Sequence, residues 1–348
     1  MAASAPDRSQ TTVLVTGASG FIGLHCVREL LEQGYRVRGT LRSPERAARL
    51  REALAKHVDA GDRLDFATAD LTADEGWAEA VRGCSYVLHV ASPLPRELPK
   101  HEDEIIVPAR EGTLRVLRAA AEGGIERVVL TSSLAAVIYG HVRDGTRTFD
   151  ENDWSITDDL YPYEKSKTIA ERAAWDFVNG LPEDRKLELV AINPGLVLGP
   201  VLEQDYGTSA EAVKKLMARE FPGCPRLGWA PVDVRDVASA HVAAMTTPEA
   251  AGQRFCCAIE HAWMQDMAVI LKKHFADRGY KIPTRPLPDF LVRIVALFDK
   301  TARVALGDLG QYQTISTERI RRVLGWKPRS LEEMVVATGE SLIEHGIV

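Results

Sequence analysis

The stretch from Thr12 to Leu31 constrains the fold more than any other part of the chain. Thr12-Val13-Leu14-Val15 is a short β-rich run, and it leads straight into Thr16-Gly17-Ala18-Ser19-Gly20-Phe21-Ile22-Gly23. From there Phe21, Ile22, Leu24, Val27, Leu30 and Leu31 recur at the spacing of one helix face. Glycines permit a tight turn and let backbone N–H groups come close to a ligand. The N-terminus of the helix that follows carries about half a positive charge. A strand, a glycine corner and a helix in direct succession therefore make an anion site suited to a pyrophosphate. A loop that needed small residues only for packing would not space three glycines regularly at this junction.

The alternation continues downstream. Gly34 stops the first helix, and Tyr35 to Leu41 reads as strand two. Arg63 to Ala69, Tyr86 to Val90, Arg127 to Leu130 and Leu187 to Ile192 read as strands three to six. Ile105 to Glu122 is a long helical pattern, with Pro108 at its start or kinking it. This rhythm predicts the α/β class: a Rossmann-type doubly wound parallel sheet with helices on both faces. After Pro200 the pattern loosens, and prolines cluster at Pro283, Pro286 and Pro288. The expected organisation is a dinucleotide-binding domain over residues 1–200 and a smaller, mainly substrate-binding lobe over 201–348. Val232 to His241 and Arg254 to Ala258 are expected to return to the sheet.

Composition narrows the partners. A formal charge of -6 over 348 residues favours neither nucleic acid nor an anionic membrane. No uncharged apolar run is long enough to span a bilayer, and the segment from Met1 to Thr12 lacks the apolar core of a signal peptide. The five cysteines are odd in number and include the adjacent pair Cys256-Cys257, so neither a disulfide framework nor a metal site follows. Buried free thiols in a reducing compartment are expected. These points describe a cytoplasmic enzyme, monomer or homodimer, that acts on a small molecule.

Strand two ends Arg38-Gly39-Thr40-Leu41-Arg42-Ser43, with no carboxylate before Glu45. Sites that hold NAD usually place an acidic residue here for the ribose hydroxyls. Arg42 instead suits the 2′-phosphate of NADP(H), with Arg38 and Arg49 as lesser candidates. Asp70 and Leu71 end strand three, where the Asp can accept from an adenine amino group. Val90, Ala91 and Ser92, ahead of Pro93, end strand four and would line the cofactor groove.

Tyr163 and Lys167 are four residues apart on a helical pattern, so both project from one face. A nearby ammonium favours a phenolate and so prepares a tyrosine for proton transfer. Lys167 can also reach a nicotinamide ribose. Ser133, in Leu130-Thr131-Ser132-Ser133 at the end of strand five, could hold a substrate oxygen beside Tyr163; Ser132 is its rival. Asn193 closes the next strand. Pro194, Gly195, Leu196 and Val197 would then lie against the nicotinamide. Together these groups describe reduction of a carbonyl by hydride transfer, with Tyr163 giving the proton.

The combination resembles the extended short-chain dehydrogenases/reductases, and within them the dihydroflavonol-reductase-like branch. The similar segments are Thr16 to Gly23, His89 to Pro93, Thr131 to Ser133, Tyr163 to Lys167, Asn193 to Pro200 and Val232 to His241. The resemblance implies NADPH, the Ser133-Tyr163-Lys167 triad, and a place for Ser209 near the cofactor phosphates. Two departures stand out. Many short-chain dehydrogenases carry an Asn where this chain has Ala109-Arg110-Glu111-Gly112-Thr113, which puts a proton relay through that Asn in doubt. Flavonoid reductases place an Asn where this chain has Ile138, which points to a more apolar aldehyde or ketone. Leu94, Ala135, Ile138, Tyr161, Tyr206, Phe221 and Trp229 could line the pocket, but each is equally a core residue. His89 reads as a satisfied core histidine. The rival functions are a nucleotide-sugar epimerase, for which Lys214, Lys215, Arg219 and Arg226 are available, a hydroxysteroid dehydrogenase, and an NADP-sensing regulator without turnover. Retention of both Tyr163 and Lys167 argues against the regulator.

Overall fold

The computed structural model describes residues 7–348 apart from 94–98, 205–206 and 208–209. Seven parallel strands form one sheet: β1 (Thr12–Thr16), β2 (Arg36–Leu41), β3 (Leu64–Thr68), β4 (Tyr86–His89), β5 (Arg127–Thr131), β6 (Glu188–Pro194) and β7 (Arg254–Cys257). Their order across the sheet is β7-β6-β5-β4-β1-β2-β3. The Rossmann-type sheet expected from the sequence is therefore present.

The central strands are apolar on both faces because both faces are covered. In β1, Val13 and Val15 point into one core layer and Leu14 into the other, and all three are fully buried. The first layer packs under α1 (Phe21–Glu32), with Leu24, Val27, Leu30 and Leu31, and under Val237 and Ala238. The second packs under α2 (Asp103–Glu122) and α3 (Pro162–Asn179), with Val116, Leu117 and Ala174. Local signals set the helix ends. Asp103 and Glu104 in the first turn of α2 suit the helix dipole. Pro162 opens α3, where its missing N–H costs nothing. Pro108 lies inside α2.

The return to the sheet is narrower than the sequence suggested. Arg254–Cys257 joins it as the edge strand, parallel to β6. Pro231–Asp233 does not join; it pairs with Leu196–Leu198 in a separate two-stranded sheet. The rest of the expected segment is helix α4 (Val234–Thr246), which packs on α1. Asp233 decides this, since its carboxylate caps the helix by accepting from the Arg235 N–H at 2.9 Å. Residues from Leu198 onward also build a separate apolar cluster. It includes Met267, Leu271 and Phe275 of helix α5 (Met264–Phe275) and Met334, Val335 and Leu342 of helix α6 (Leu331–Glu344). A further pair, Asp144–Phe149 with Tyr312–Ile315, ties the segment after β5 to the late part of the chain. No helix among the described residues is long and apolar enough to cross a membrane.

Candidate active site

The strand order reverses between β1 and β4, and there a cleft of about 500 Å³ opens at the strand C-terminal ends. It is lined by Gly17, Ser19, Gly20, Phe21, Ile22, Gly23, Arg42, Asp70, Leu71, Val90, Ala91 and Ser92. Ser133, Tyr163, Lys167, Pro194, Gly195 and Val197 complete the expected set on its walls. Two expected residues are not on its surface. Ala18 is buried with its methyl group against Gly39, and Leu196 packs toward the cluster of Met267 and Leu271. Ser209, Leu94 and Tyr206 lie outside the described residues. The sequence reading missed Thr40, Arg46, Thr72, Trp77, Thr131 and Gly207, all of which line the cleft.

The glycine corner has no room for side chains. Gly17 has φ +64, and a Cβ there would press on Ala91 at 3.0 Å. A Cβ on Gly23 would run into the Gly17 carbonyl oxygen. Gly20 caps α1 without any side-chain hydrogen bond. The first N–H groups of α1, which have no intrahelical partner, therefore face the cleft free of a competing cap. Such a cradle fits a pyrophosphate.

Arg42 and Arg46 stand on the same wall. Arg46 also pairs with Glu203 at 2.8 Å. The two lesser candidates do not line the cleft: Arg38 donates to the Arg82 carbonyl at 2.6 Å, and Arg49 shares Glu203 with Arg46, at 3.2 Å. Asp70 is busy too: its Oδ1 accepts from the N–H and hydroxyl of Thr72 at 2.8 and 2.7 Å, and these bonds hold its carboxyl below the usual range.

Both serines border the cleft, but their hydroxyls differ. That of Ser132 is buried and donates to Glu171 at 2.5 Å. That of Ser133 accepts from the Ala135 N–H at 3.0 Å and pulls the phenol of Tyr163 down. Lys167, one helical turn on, places its Nζ 6.0 Å from the centre of the Tyr163 ring. The tyrosine is raised, not lowered as the pairing with lysine predicts. Tyr163 is 38% exposed as a residue, yet desolvation holds its phenol above the usual value; the Ser133 hydroxyl works against this and Glu164 adds to it. Lys167 is itself pushed down by burial to about 8, with Glu171 opposing.

Behind this face lies a buried hub. Glu171 is four residues past Lys167 and fully enclosed. It accepts from Ser132, from Asn193 Nδ2 at 2.8 Å and from Arg254 Nε at 2.6 Å. Arg254 also donates to the carbonyls of Glu151 and Asp153, and its guanidinium stacks 3.7 Å from the Trp154 ring centre. The hub thus joins α3, the end of β5, the end of β6 and β7. His89 is only half satisfied. Its Nδ1 meets Thr16 Oγ1 at 2.8 Å, while Nε2 is buried without a partner, and burial lowers the imidazole to about 3. Ile138 and Ala135 are core residues, 1% and 4% exposed, and neither lines the cleft. All five cysteines are buried free thiols. A second cavity of about 350 Å³ lies between α1, α4 and the segment 324–329, but it contains none of these groups.

Residues 13–258 match the NAD dependent epimerase/dehydratase family. Cinnamoyl-CoA reductase 1 of Petunia hybrida is 38% identical over 285 residues, 80% of each chain. The NADPH-dependent methylglyoxal reductase GRE2 of Saccharomyces cerevisiae is 32% identical, over 96% of this chain and 98% of its own. The crystal structure of the yeast methylglyoxal/isovaleraldehyde reductase Gre2 complexed with NADPH superposes with a TM-score of 0.80 at 30% identity. That match covers 97% of this chain and all of the other. With its sheet order, its glycine corner and the match over residues 13–258, the chain belongs to the NAD dependent epimerase/dehydratase family, in the extended short-chain dehydrogenase group.

Proposed function

We propose that this chain, an NADP-dependent oxidoreductase, reduces an aldehyde or ketone to the alcohol through Ser133, Tyr163 and Lys167. The observation that carries the reading is that Ser133, Tyr163 and Lys167 line the same cleft as the glycine corner and Arg42. The Gre2 structure, which holds NADPH, supports the cofactor.

The residues present fit NADPH. The Gly17–Gly23 corner and the free start of α1 would take the pyrophosphate. Arg42 and Arg46 would take the 2′-phosphate, and Lys167 the nicotinamide ribose. Pro194, Gly195 and Val197 would lie along the nicotinamide. When bound, the nicotinamide supplies hydride to the carbonyl carbon. Ser133 holds the carbonyl oxygen, and Tyr163 delivers a proton to that oxygen as the alcohol forms. A phenol held above its usual value stays protonated at neutral pH but releases its proton less readily, so it depends on a neighbouring charge at the moment of transfer. Lys167, still charged below about pH 8, would favour loss of the phenolic proton at the moment of transfer.

The substrate is read more broadly than from the sequence. Ile138 is in the core, so its contrast with the flavonoid reductases says nothing about what enters the cleft. Residues 201–348, apart from those that return near 232–258, would form most of the substrate side. The test is a spectrophotometric assay of NADPH against NADH over aldehydes, ketones and flavonoids, with wild type beside Tyr163→Phe. Wild type should consume NADPH, and the variant should lose roughly 10²–10⁴-fold in rate while still binding NADPH. Net consumption rules out a pure epimerase. Preference for NADH would refute the role of Arg42, and survival of activity in Tyr163→Phe would refute the mechanism.

A further inference from the structure

Glu203 carries a carboxylate that is only 5% exposed. The backbone leading to it is pinned. The Gly199 and Val201 N–H groups donate to Thr338 Oγ1 at 2.7 Å and Ser341 Oγ at 2.8 Å, both buried on α6. The Pro200 carbonyl meets His25 Nε2 of α1 at 2.9 Å, and Leu202 is buried in the core layer under α1. Glu203 is thus presented from a fixed stretch of chain, and two arginines meet it. Arg46 Nη2 donates to its Oε1 at 2.8 Å. Arg49 Nε lies 3.2 Å from its Oε2, yet that oxygen is enclosed and accepts no hydrogen bond. Arg46 lines the cleft beside Arg42, and neither Glu203 nor Arg49 does. The carboxylate therefore stands behind Arg46.

An arginine at the start of a helix is ordinarily solvated and samples many rotamers. A carboxylate shut away from water is stable only when paired, so Glu203 restrains the guanidinium strongly. A guanidinium carries five N–H donors in one rigid plane, and a bond to a fixed carboxylate also directs the others. A negative charge near a phosphate site would by itself repel the ligand. Arg49 offsets it, because two guanidiniums against one carboxylate leave the group positive. Arg49 then acts as a counter-charge and not as a ligand to the phosphate.

We propose that Glu203 is a positioning residue for Arg46 and, through it, sets the selection of NADPH over NADH: the buried carboxylate holds the Arg46 guanidinium where the 2′-phosphate binds. The proposal rests on the reading that Arg42 and Arg46 take that phosphate. A cofactor without the 2′-phosphate makes no use of the Arg46 guanidinium, so its affinity does not depend on Glu203. Because Thr338 and Ser341 pin the chain that presents Glu203, the choice of cofactor also depends on the seating of α6.

The test uses the full chain and fluorescence titration with NADPH and with NADH. Glu203→Met removes the acceptor and the charge at similar length, and Glu203→Gln keeps an oxygen for Arg46. Glu203→Met should raise the Kd of NADPH about tenfold and leave that of NADH within about twofold. Glu203→Gln should raise the NADPH value by only about threefold; should the apolar variant fold poorly, the amide carries the same test at this smaller factor. In an Arg46→Met background, either change at Glu203 should add nothing to the loss of NADPH affinity, since no guanidinium is left to hold. An NADPH Kd that is unchanged or lower, an equal weakening of NADH, or a full further loss in the Arg46→Met background overturns the proposal. A ratio of NADPH to NADH affinity that collapses in Arg42→Ala and Arg46→Met but stays unmoved in the Glu203 variants sinks this proposal alone. A ratio unmoved in Arg42→Ala and Arg46→Met sinks the reading beneath it.

Discussion

Replacing Arg254 with methionine tests the hub behind the site. Glu171 is 0% exposed and Arg254 only 8%, so solvent cannot substitute for either partner. The change removes the 2.6 and 3.3 Å bonds to Glu171, the donations to Glu151 and Asp153, and the stacking on Trp154. Ser132, Asn193 and Trp175 would remain as donors to a buried carboxylate that had lost its guanidinium. Breaking a buried pair from one side costs about 3–5 kcal/mol, a large share of the roughly 5–15 kcal/mol that holds a typical fold together. Urea unfolding followed by circular dichroism measures it. Glu171→Gln completes a double-mutant cycle: once the charge is gone, removing Arg254 should cost less, giving a coupling of about 1–3 kcal/mol. A loss below about 1 kcal/mol in Arg254→Met, no more than one ordinary hydrogen bond contributes, would refute the reasoning. So would strict additivity of the two changes.

The serine pair should divide by function. Ser133→Ala should lower kcat by about 10²–10³ with NADPH affinity unchanged, whereas Ser132→Ala should cost about 1–3 kcal/mol of stability by leaving a Glu171 oxygen short of a donor; steady-state kinetics and urea melts that gave the opposite pattern would exchange the two assignments. Lys167 is charged and enclosed at neutral pH, and its folded value of about 8 lies below the ordinary 10.5. The unfolded chain then holds its proton more tightly, so stability should rise as pH increases from about 8 toward 10.5, and Lys167→Met should be more stable at neutral pH by up to roughly 3 kcal/mol while losing reduction. Melts that showed no gain for Lys167→Met at neutral pH, or no rise in wild-type stability between about pH 8 and 10.5, would contradict the burial argument.

Features with a short sequence range were legible in advance. The glycine corner is a strand, a turn and a helix within twenty residues. Tyr163 and Lys167 are one helical turn apart, so periodicity alone puts them on one face. The orientation of Ser132 and Ser133 was not legible, because the direction of a side chain at a strand end depends on what packs behind it, here Glu171. Arg254 is 83 positions from Glu171, and no local pattern joins them. Arg46 could have been found, since it opens the next helix four residues past Arg42 and lines the same cleft. Val232 to His241, expected to return to the sheet, is a strand only as far as Asp233, whose capping carboxylate starts the helix there. Ile138, open from the sequence between pocket and core, is core, because side-chain burial there is decided by packing that no local pattern shows.

The parallel pairing of Asp144–Phe149 with Tyr312–Ile315 has a consequence for the order in which the site is completed. The reacting side chains have all been specified by Lys167, but Arg254, which braces Glu171 behind them, and the Tyr312 strand come much later in the chain. Contacts that span such long loops cost closure entropy before they return any enthalpy. During folding, a glycine corner and a tyrosine–lysine pair would stand in place with their surroundings still open to water. The chemistry is carried by an early-forming scaffold and becomes selective only when the late residues arrive. Substitutions at the late strand should therefore act on the timing of site closure more than on the sheet beneath it.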